Sequence, residues 1–508
     1  MSKSKSIFKS FSLLAVITIV EKIIAFVFEA SIAANIGANK ITDGYFITAE
    51  FFTLIDSAFL SAATVVALRQ YTHYVMANDE QQGFRLLSRF QSVYLPVILF
   101  VSIAVFCLAV PLSYVIAPGY SEEARSIVIR CIRFMAFVPC VSCVTSVGLA
   151  VLRQKKEFLI TGLKSLFISV VGIASVFLFG RNSRNADLLS IAYAISMVLY
   201  CVLVMLFTRR YGVLKLCKPV LDNEIKNLFK KLFPLMISYG VARVALMVDK
   251  TVASFLGTGA VSQLTYAHSL YKVVGAIFVT NLTTIILTDF NNLCSRNETE
   301  KVSRLARKTI SMMTLMLIPV TIVSFFNASN IVKIVYERGE FAANLSASVG
   351  SVLMFYALNF VPVMIQGIYN QALYAFGDTK KPMWISVTSV VVNLGLSIPL
   401  SFVVGLAGIA IGTVASALVT IVLQRIVLKK YLPDYKGGYS RDFLWKAGAA
   451  SAVCLLAVFA VSQFVSNAYL SFGLSTIVGF SSFLIVMILL KENYSLSALK
   501  QVVAKFKK

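Results

Sequence analysis

Charged side chains inside long apolar stretches are the feature of this sequence that can do chemistry. The first such stretch, residues 20–46, contains Lys22 and Glu29 and ends in a turn at Gly37 that is followed by Asp43. Lys22 and Glu29 are seven residues apart, so on a helix they share a face. A charged side chain in mid-membrane costs about 2.5–3.5 kcal/mol even on lenient insertion scales. Several charges in one segment therefore indicate a helix face that meets water or opposite charge, as the wall of a polar cavity does.

Similar charges return farther along the chain. Asp56 lies in the second apolar run, Arg243, Asp249 and Lys250 lie in the seventh, and Lys272 lies in the eighth. Any one of them can be a structural ion pair or a side chain that reaches a membrane boundary. About ten such groups together would cost about 25–35 kcal/mol, which exceeds a typical net stability of about 5–15 kcal/mol. We therefore expect them to be hydrated, mutually paired or both, around a polar cavity between two halves of the chain.

The chemistry that suits this set is the binding of an anion. Lys and Arg bind phosphate through charge-assisted hydrogen bonds, and nearby acids can pair with the cations or hold a coupling Na⁺ or H⁺. Motifs for catalysis are missing from the sequence, with neither a Walker A loop nor an HExxH segment. We predict a transporter of an anionic amphiphile, not an enzyme, with no resident cofactor or metal. A coupling ion or the membrane potential would supply the energy.

Long apolar helices must position these groups. The chain has 508 residues, of which 58% are hydrophobic and 14% charged, whereas about a quarter of a soluble domain is charged. Runs long enough to span a bilayer, about 20 residues, recur along the whole chain, and the short alternating segments of a β-barrel are absent. The sequence predicts an all-α polytopic membrane protein. Its fourteen predicted transmembrane helices cover about 11–36, 44–68, 92–116, 127–152, 158–180, 186–208, 230–256, 262–290, 307–328, 345–376, 383–404, 407–429, 443–465 and 469–490.

The basic residues of the loops predict the orientation. The net charge of +24 comes mainly from Lys and Arg in alternate connections, and such loops face the cytoplasm. Both termini then face the cytoplasm as well, in agreement with an even number of helices. This bias explains the positive charge better than nucleic acid does, so we predict no nucleic-acid partner.

An internal repeat appears at an offset of 220 residues. The segments 29–37 and 249–257 each place an acid, Glu29 or Asp249, eight residues before a glycine, Gly37 or Gly257. Repeated halves with a binding site between them are typical of transporters. The repeat predicts two pseudo-symmetric six-helix lobes plus two C-terminal helices. The predicted domains are residues 1–215 with helices 1–6, residues 216–432 with helices 7–12, and residues 433–508 with helices 13–14 and an amphipathic cytoplasmic tail.

Several motifs resemble the MurJ/MviN family of lipid II flippases, within the multidrug/oligosaccharidyl-lipid/polysaccharide exporter superfamily. Residues 36–46 resemble its glycine turn and TDxxF segment, and residues 252–270 resemble its seventh and eighth helices. The turn at 336–341 and the segment 374–382, which reads YAFGDTKKP, are similar to the family's as well. The similarity extends from helix 1 to helix 12, and the count of fourteen helices also agrees.

The resemblance implies a substrate and a mechanism. It implies a multi-pass protein of the bacterial cytoplasmic membrane that moves an undecaprenyl-pyrophosphate-linked saccharide of the lipid II type from the inner to the outer leaflet by alternating access. The partners implied are this glycan lipid and membrane lipid, and we expect a monomer. Of the family's basic cavity positions, Lys22 matches the first, whereas Phe28, Asp56 and Ser269 stand at three others.

Two alternatives to lipid II transport stay open, because those three positions lack the family's positive charge. Arg243, Lys250 and Lys272 can supply replacement charge from other positions. One is a flippase for an O-antigen or exopolysaccharide repeat unit, and the other is a cation-coupled multidrug antiporter. The candidate substrate-binding residues are Lys22, Glu29, Asp56, Arg243, Asp249, Lys250, Ser269 and Lys272, and the candidate gate or turn residues are Gly37, Asp43 and Gly257.

Overall fold

The described part of the chain is built from α-helices. The computed structural model describes residues 20–179, 186–212, 214–276, 286, 289–294, 296–378, 380–433, 435 and 437–492, and no β-strand occurs among them. Helices are expected here, because a segment inside a bilayer must satisfy its own backbone N–H and C=O groups. The predicted all-α polytopic class is confirmed.

Nine of the described helices are long and apolar enough to cross a membrane. A tenth candidate span forms if the pair Ala343–Ala357 and Phe360–Ala375, bent by 41°, is counted as one. The remaining predicted spans overlap helices at 20–35, Lys164–Phe179, Asn223–Ala253 and Ala260–Gly275. Each of the fourteen predicted spans therefore overlaps a helix in the part of the chain that the structure describes. The start of the first, most of 277–290 and the predicted amphipathic tail after residue 492 lie outside the described residues.

The helices group into two compact units, which comprise residues 1–262 with 339–341, and residues 263–338 with 342–508. The predicted lobe boundaries at residues 215 and 432 describe a sequence repeat, and they stay a prediction.

The helices of the first unit are α1 (20–35), α2 (Lys40–Asp56), α3 (Ala62–Met76), α4 (Glu80–Cys107), α5 (Ala109–Ile116), α6 (Glu122–Met135), α7 (Val138–Gln154), α8 (Phe158–Gly162), α9 (Lys164–Phe179), α10 (Ala186–Thr208) and α11 (Asn223–Ala253).

The second unit begins inside α12 (Ala260–Gly275), at residue 263. Its two last helices pack against each other and against α13, so the appended pair of the sequence prediction forms part of this unit's core. The other helices are α13 (Thr299–Phe326), α14 (Ala328–Tyr336), α15 (Ala343–Ala357), α16 (Phe360–Ala375), α17 (Lys380–Val404), α18 (Leu406–Leu428), α19 (Arg441–Phe464) and α20 (Ala468–Leu489).

The core of the first unit lies where α3, α4, α7 and the start of α11 meet. Tyr71, Phe90 and Tyr94 are fully buried there, and the rings of Phe90 and Tyr94 stack with their centroids 5.4 Å apart. A five-residue π-helical turn, Ser57–Ser61, joins α2 to α3 without a break. Such turns alter which face of a helix meets its neighbours and often mark functional sites; this one directly follows Asp56.

Gly339 lies at a point where two backbone segments of the first unit approach each other closely. Residues 339–341 lie against the C-terminal end of α1, where the Glu340 N–H donates to the Ala34 carbonyl oxygen at 2.9 Å. Gly339 has φ +62°, and a Cβ on it would lie 2.1 Å from that same oxygen. A side chain fits neither the backbone conformation nor the space, so glycine is required at this position.

Gly339→Ala is therefore expected to destabilise the protein more than Gly377→Ala. Both glycines have positive φ, but nothing lies within 4 Å of a Cβ built on Gly377. Left-handed backbone costs an L-residue about 1–2 kcal/mol, and forced overpacking adds about 1–3 kcal/mol. Thermal denaturation of the two purified variants in detergent measures the difference. Equal midpoints would contradict the crowding at residue 339.

Candidate functional site

The Asp43 carboxylate caps the N-terminus of α12 from another helix. Asn39 caps α2 and forms a reciprocal capping box with Thr42, which places Asp43 in the first turn. Asp43 is 1% exposed and accepts hydrogen bonds from the Gly259 N–H at 2.5 Å, the Ser262 N–H at 2.7 Å and the Ser262 hydroxyl at 2.6 Å. A helix N-terminus has unpaired N–H groups and a partial positive charge. Together these donors compensate the buried carboxylate.

The candidate turn glycines have the conformations that the repeat predicts. Gly37 follows α1 with φ +82°, and Gly257 follows the 3₁₀ turn Ser254–Leu256 at the end of α11 with φ +109°. L-residues rarely adopt such angles, whereas glycine does so readily. A gating role for Gly37, Asp43 and Gly257 stays a prediction.

A second carboxylate, Glu50 on α2, meets Lys250 on α11. The Lys250 Nζ lies 3.1 Å from the Glu50 Oε2 and donates to the Phe46 carbonyl oxygen at 3.2 Å. The two charged side chains are only 10% and 11% exposed. Asp249, the residue before Lys250, is 5% exposed, and its Oδ1 has no hydrogen-bond partner among the described residues. Glu50, Asp249 and Lys250 thus form a cluster of three buried ionisable side chains.

Asp56, one of the predicted site residues, also has a cationic partner. Its carboxylate pairs with Lys164 on α9 and accepts a hydrogen bond from the Ser142 hydroxyl on α7 at 2.5 Å. The Asp56 side chain is 9% exposed and that of Lys164 is 24% exposed. Both side chains lie in apolar runs of the sequence, but nothing in the sequence shows that they form a pair.

Two predicted cations of the first unit differ from Lys164 and Lys250. Lys22 on α1 is exposed, Arg243 on α11 is half-buried, and neither forms an ion pair with any described residue. Glu29, two turns after Lys22, is half-buried. Lys250 and Lys164 thus neutralise the acids Glu50 and Asp56. The positive charges of Lys22 and Arg243 stay available to bind an anion.

The remaining predicted site residues belong to the second unit. Ser269 is buried and Lys272 is exposed on α12. On the same helix, the Tyr271 ring stacks on Phe360 with the ring centroids 5.4 Å apart, and its hydroxyl oxygen accepts a hydrogen bond from the Asn359 side-chain amide at 3.1 Å. These aromatic contacts fix the rotation of α12 about its axis within its own unit.

Sequence reasoning missed a polar cluster after α16. The Tyr431 hydroxyl lies 2.7 Å from the Asp378 Oδ2 and 2.7 Å from the Lys381 Nζ, and its ring stacks on Phe376. Burial raises the pKa of Asp378, but hydrogen bonds from the Lys381 N–H, Tyr431 and the Lys381 ammonium lower it, and the net pKa is below its usual value. The cluster therefore favours the ionised Asp378.

A matching cluster lies 220 residues earlier in the chain, where Tyr211 stands in place of Tyr431. The Tyr211 hydroxyl donates to the Glu157 Oε1 at 2.7 Å, which raises the pKa of the phenol. Lys155 lies over the Tyr211 ring and pairs with Glu80 at 2.7 Å. The signal that could have found both clusters is a tyrosine at the same 220-residue offset as the glycine turns.

Tyr431→Phe is expected to make the protein more sensitive to acid. Loss of the hydroxyl removes one hydrogen bond that lowers the pKa of Asp378, so that pKa rises. A group with a depressed folded-state pKa stabilises above its unfolded-state pKa and loses that contribution as pH falls through the folded-state value. The variant should begin to lose thermal stability at a higher pH than the parent protein, as denaturation midpoints measured across the acidic range will show.

Tyr439→Phe is the control for this pH dependence. The Tyr439 hydroxyl hydrogen-bonds to Thr314 at 2.7 Å and touches no carboxylate in the described chain. Its loss should lower the midpoint by a similar amount at every acidic pH. Parallel pH curves for both variants would contradict the role of Tyr431.

The described residues contain no group of three or more His, Cys, Asp and Glu side chains that could hold a metal ion. Long apolar helices with ionisable side chains between them are typical of integral membrane transporters. A family model described as lipid II flippase MurJ matches residues 32–480. The chain belongs to this family.

Curated relatives agree with this assignment, and solved structures share the fold. The chain is 25% identical over 427 residues to a probable lipid II flippase MurJ of Rickettsia prowazekii (strain Madrid E), covering 81% of this chain and 82% of that one. It is 24% identical over 463 residues to a protein of the same name from Rhizobium tropici, covering 89% and 85%. A lipid II flippase MurJ in an inward closed conformation superposes with a TM-score of 0.81 at 17% identity, over 94% of this chain and 99% of that one. An inward-facing multidrug resistance MATE transporter gives 0.66 at 13% identity, over 83% and 99%.

Proposed function

We propose that the chain is a flippase for an undecaprenyl-pyrophosphate-linked saccharide of the lipid II type. It moves this lipid from the inner to the outer leaflet of the bacterial cytoplasmic membrane by alternating access, with both termini in the cytoplasm. The observation that carries the proposal is the match of residues 32–480 to the lipid II flippase family. The fold is shared with drug transporters of the MATE family, so the substrate must be argued from the charged side chains.

The charges of the first unit support an anionic substrate. Glu50 and Asp56 are paired with Lys250 and Lys164, which leaves the cations Lys22 and Arg243 without ion pairs among the described residues. A pyrophosphate group carries the opposite charge and can accept hydrogen bonds from both. We assign Lys22 and Arg243 to headgroup binding, with Glu29, Ser269 and Lys272 as further candidates.

The energy source forms part of the proposal. Asp249 is a buried acid whose Oδ1 has no described partner, so it is the candidate group for a coupling H⁺ or Na⁺. The membrane potential is the alternative, since moving one charge through 100 mV is worth about 2.3 kcal/mol. Nothing in the described chain requires a second copy, and we propose that the monomer transports.

Complementation tests the substrate. The gene should restore growth to cells depleted of their lipid II flippase, and should not replace the flippase in an O-antigen export mutant. The opposite pattern would move the assignment to an O-antigen or exopolysaccharide repeat unit, the alternative that Phe28, Asp56 and Ser269 favour by their lack of positive charge.

Removing both free cations tests the headgroup site. The double variant Lys22→Gln and Arg243→Gln is expected to abolish flipping of lipid II in proteoliposomes while expression stays normal, because neither residue forms an ion pair that the fold needs. The matched control is Lys301→Gln with Arg304→Gln, whose side chains are 62% and 75% exposed on α13. Normal transport by the first double variant would reject the assignment.

A further inference from the structure

A cavity of about 1250 Å³ lies in the first unit, beside the cluster of Tyr211, Lys155 and Glu80. One wall is the first turns of α4, and the other is segment 214–220, which has no regular secondary structure. The Lys215 N–H donates to the Ser88 hydroxyl at 3.2 Å and the Cys217 N–H donates to the Ser92 hydroxyl at 2.8 Å. These hydrogen bonds fasten the segment to α4, so the cavity is part of the fold.

The lining of this cavity is strongly basic. Arg85, Arg89, Lys215 and Lys218 line it, whereas Glu80 is its only acid. Glu80 is already paired with Lys155 and accepts a hydrogen bond from Tyr71 at 2.6 Å, and Arg89 is paired with Asp222 and Glu224. Arg85, Lys215 and Lys218 are exposed and form no ion pair among the described residues. Three uncompensated cations around one concave surface favour an anion with several oxygen atoms.

A second depression, of about 540 Å³, begins one residue after the lining of the basic cavity. Val220 lines the basic cavity and the next residue, Leu221, lines the second depression. The rest of its lining comes from α11 and consists of the apolar residues Phe229, Phe233 and Pro234 and the lysines Lys226 and Lys230. Leu221 and Phe233 are 60% and 66% exposed. A charged pocket next to an exposed apolar groove matches a ligand with an anionic head and a hydrocarbon chain, and a soluble anion would leave the groove without a partner.

We infer that this basic cavity binds the phosphodiester headgroup of an anionic glycerophospholipid of the inner leaflet. Its acyl chain lies in the groove beside Leu221 and Phe233. The loop charges predict that this end of α4 faces the cytoplasm, where anionic lipids attract Lys and Arg near the surface. The inference is independent of the proposed flippase activity, because none of the candidate transport residues lines the cavity.

Lipid binding by the full-length protein tests the inference. The protein is reconstituted in phosphatidylcholine nanodiscs that contain a small fraction of phosphatidylglycerol, and the phosphatidylglycerol bound to the protein is measured by native mass spectrometry. The triple variant Arg85→Gln, Lys215→Gln and Lys218→Gln should bind phosphatidylglycerol at least tenfold more weakly. Leu221→Ser with Phe233→Ser should weaken binding as well, since the acyl groove is lost.

The matched control removes the same charge elsewhere. Arg296, Lys429 and Lys430 are exposed and are predicted to lie on the same side of the membrane, so their triple glutamine variant should bind like the parent protein. An equal loss in this control would overturn the inference in favour of diffuse attraction by the loops. Displacement of the lipid by millimolar inorganic phosphate, or unaltered binding after the loss of Arg85, Lys215 and Lys218, would overturn it too. Binding to the acyl-groove variant at parental strength would show a soluble-anion site and reject the lipid.

Discussion

Asp43→Ala should be among the most destabilising single substitutions in the chain. The change leaves the Gly259 N–H and the Ser262 N–H without their acceptor in a site where Asp43 is 1% exposed, whereas the Ser262 hydroxyl keeps the Thr42 Oγ1 as a partner at 2.7 Å. Each buried donor left unpaired costs about 1–3 kcal/mol, so the loss is about 2–6 kcal/mol. Loss of the negative charge at the helix N-terminus adds to it. The midpoint of thermal denaturation in detergent should fall sharply.

Asp43→Asn separates the hydrogen bonds from the charge. The asparagine carbonyl oxygen can still accept from part of the Gly259 and Ser262 donors, but its amide group presents N–H where an acceptor is needed. We expect a midpoint between those of the alanine variant and the parent. Asp442→Asn is the control, because Asp442 is 58% exposed and its pair with Lys446 lies on the surface of α19. Surface pairs contribute about 0–1 kcal/mol. A midpoint for Asp43→Ala equal to that of Asp442→Asn would refute the capping role.

The helices of this protein were predictable because their signal is local. A run of apolar residues long enough to span a bilayer can only be helical there, and residues 186–208, for example, form one helix with the predicted bounds. The turn glycines were predictable for the same reason, since an acid followed by a glycine eight residues later recurs at 29–37 and 249–257. Backbone conformation at Gly37 and Gly257 needs no knowledge of the tertiary structure.

The partners of the charged residues were not predictable from one sequence. Asp43 and Ser262 are 219 residues apart, and Asp56 and Lys164 are 108 residues apart. Helical periodicity gives the face on which each residue lies, but not the neighbouring helix or the register between the two. Lys250 and Arg243 lie on the same helix, α11. Helical periodicity alone therefore cannot show that Lys250 has an ion-pair partner and that Arg243 has none among the described residues. Only the tertiary contacts show which of the described cations form ion pairs.

Lys250→Met should destabilise the protein by about 3–5 kcal/mol, the usual cost of removing one partner of a buried ion pair. Glu50 is 11% exposed, and without Lys250 its charge is left beside the buried Asp249, with which it interacts electrostatically. The double variant Glu50→Leu and Lys250→Met removes both charges. Apolar replacement of a whole buried pair is often neutral or stabilising, so the double variant should recover most of the denaturation midpoint. A double variant as unstable as Lys250→Met alone would contradict the pairing.

The same double variant decides whether Lys250 is structural or functional. If Lys250 serves only to neutralise Glu50, restored stability should bring restored lipid II flipping in proteoliposomes. We expect this result, because the Lys250 Nζ is already committed to the Glu50 carboxylate and the Phe46 carbonyl oxygen, whereas Lys22 and Arg243 have no such partners. A stable double variant that fails to transport would instead add Lys250 to the headgroup site. The pair would then have to open during the transport cycle, since a lysine held by Glu50 cannot bind a pyrophosphate at the same time.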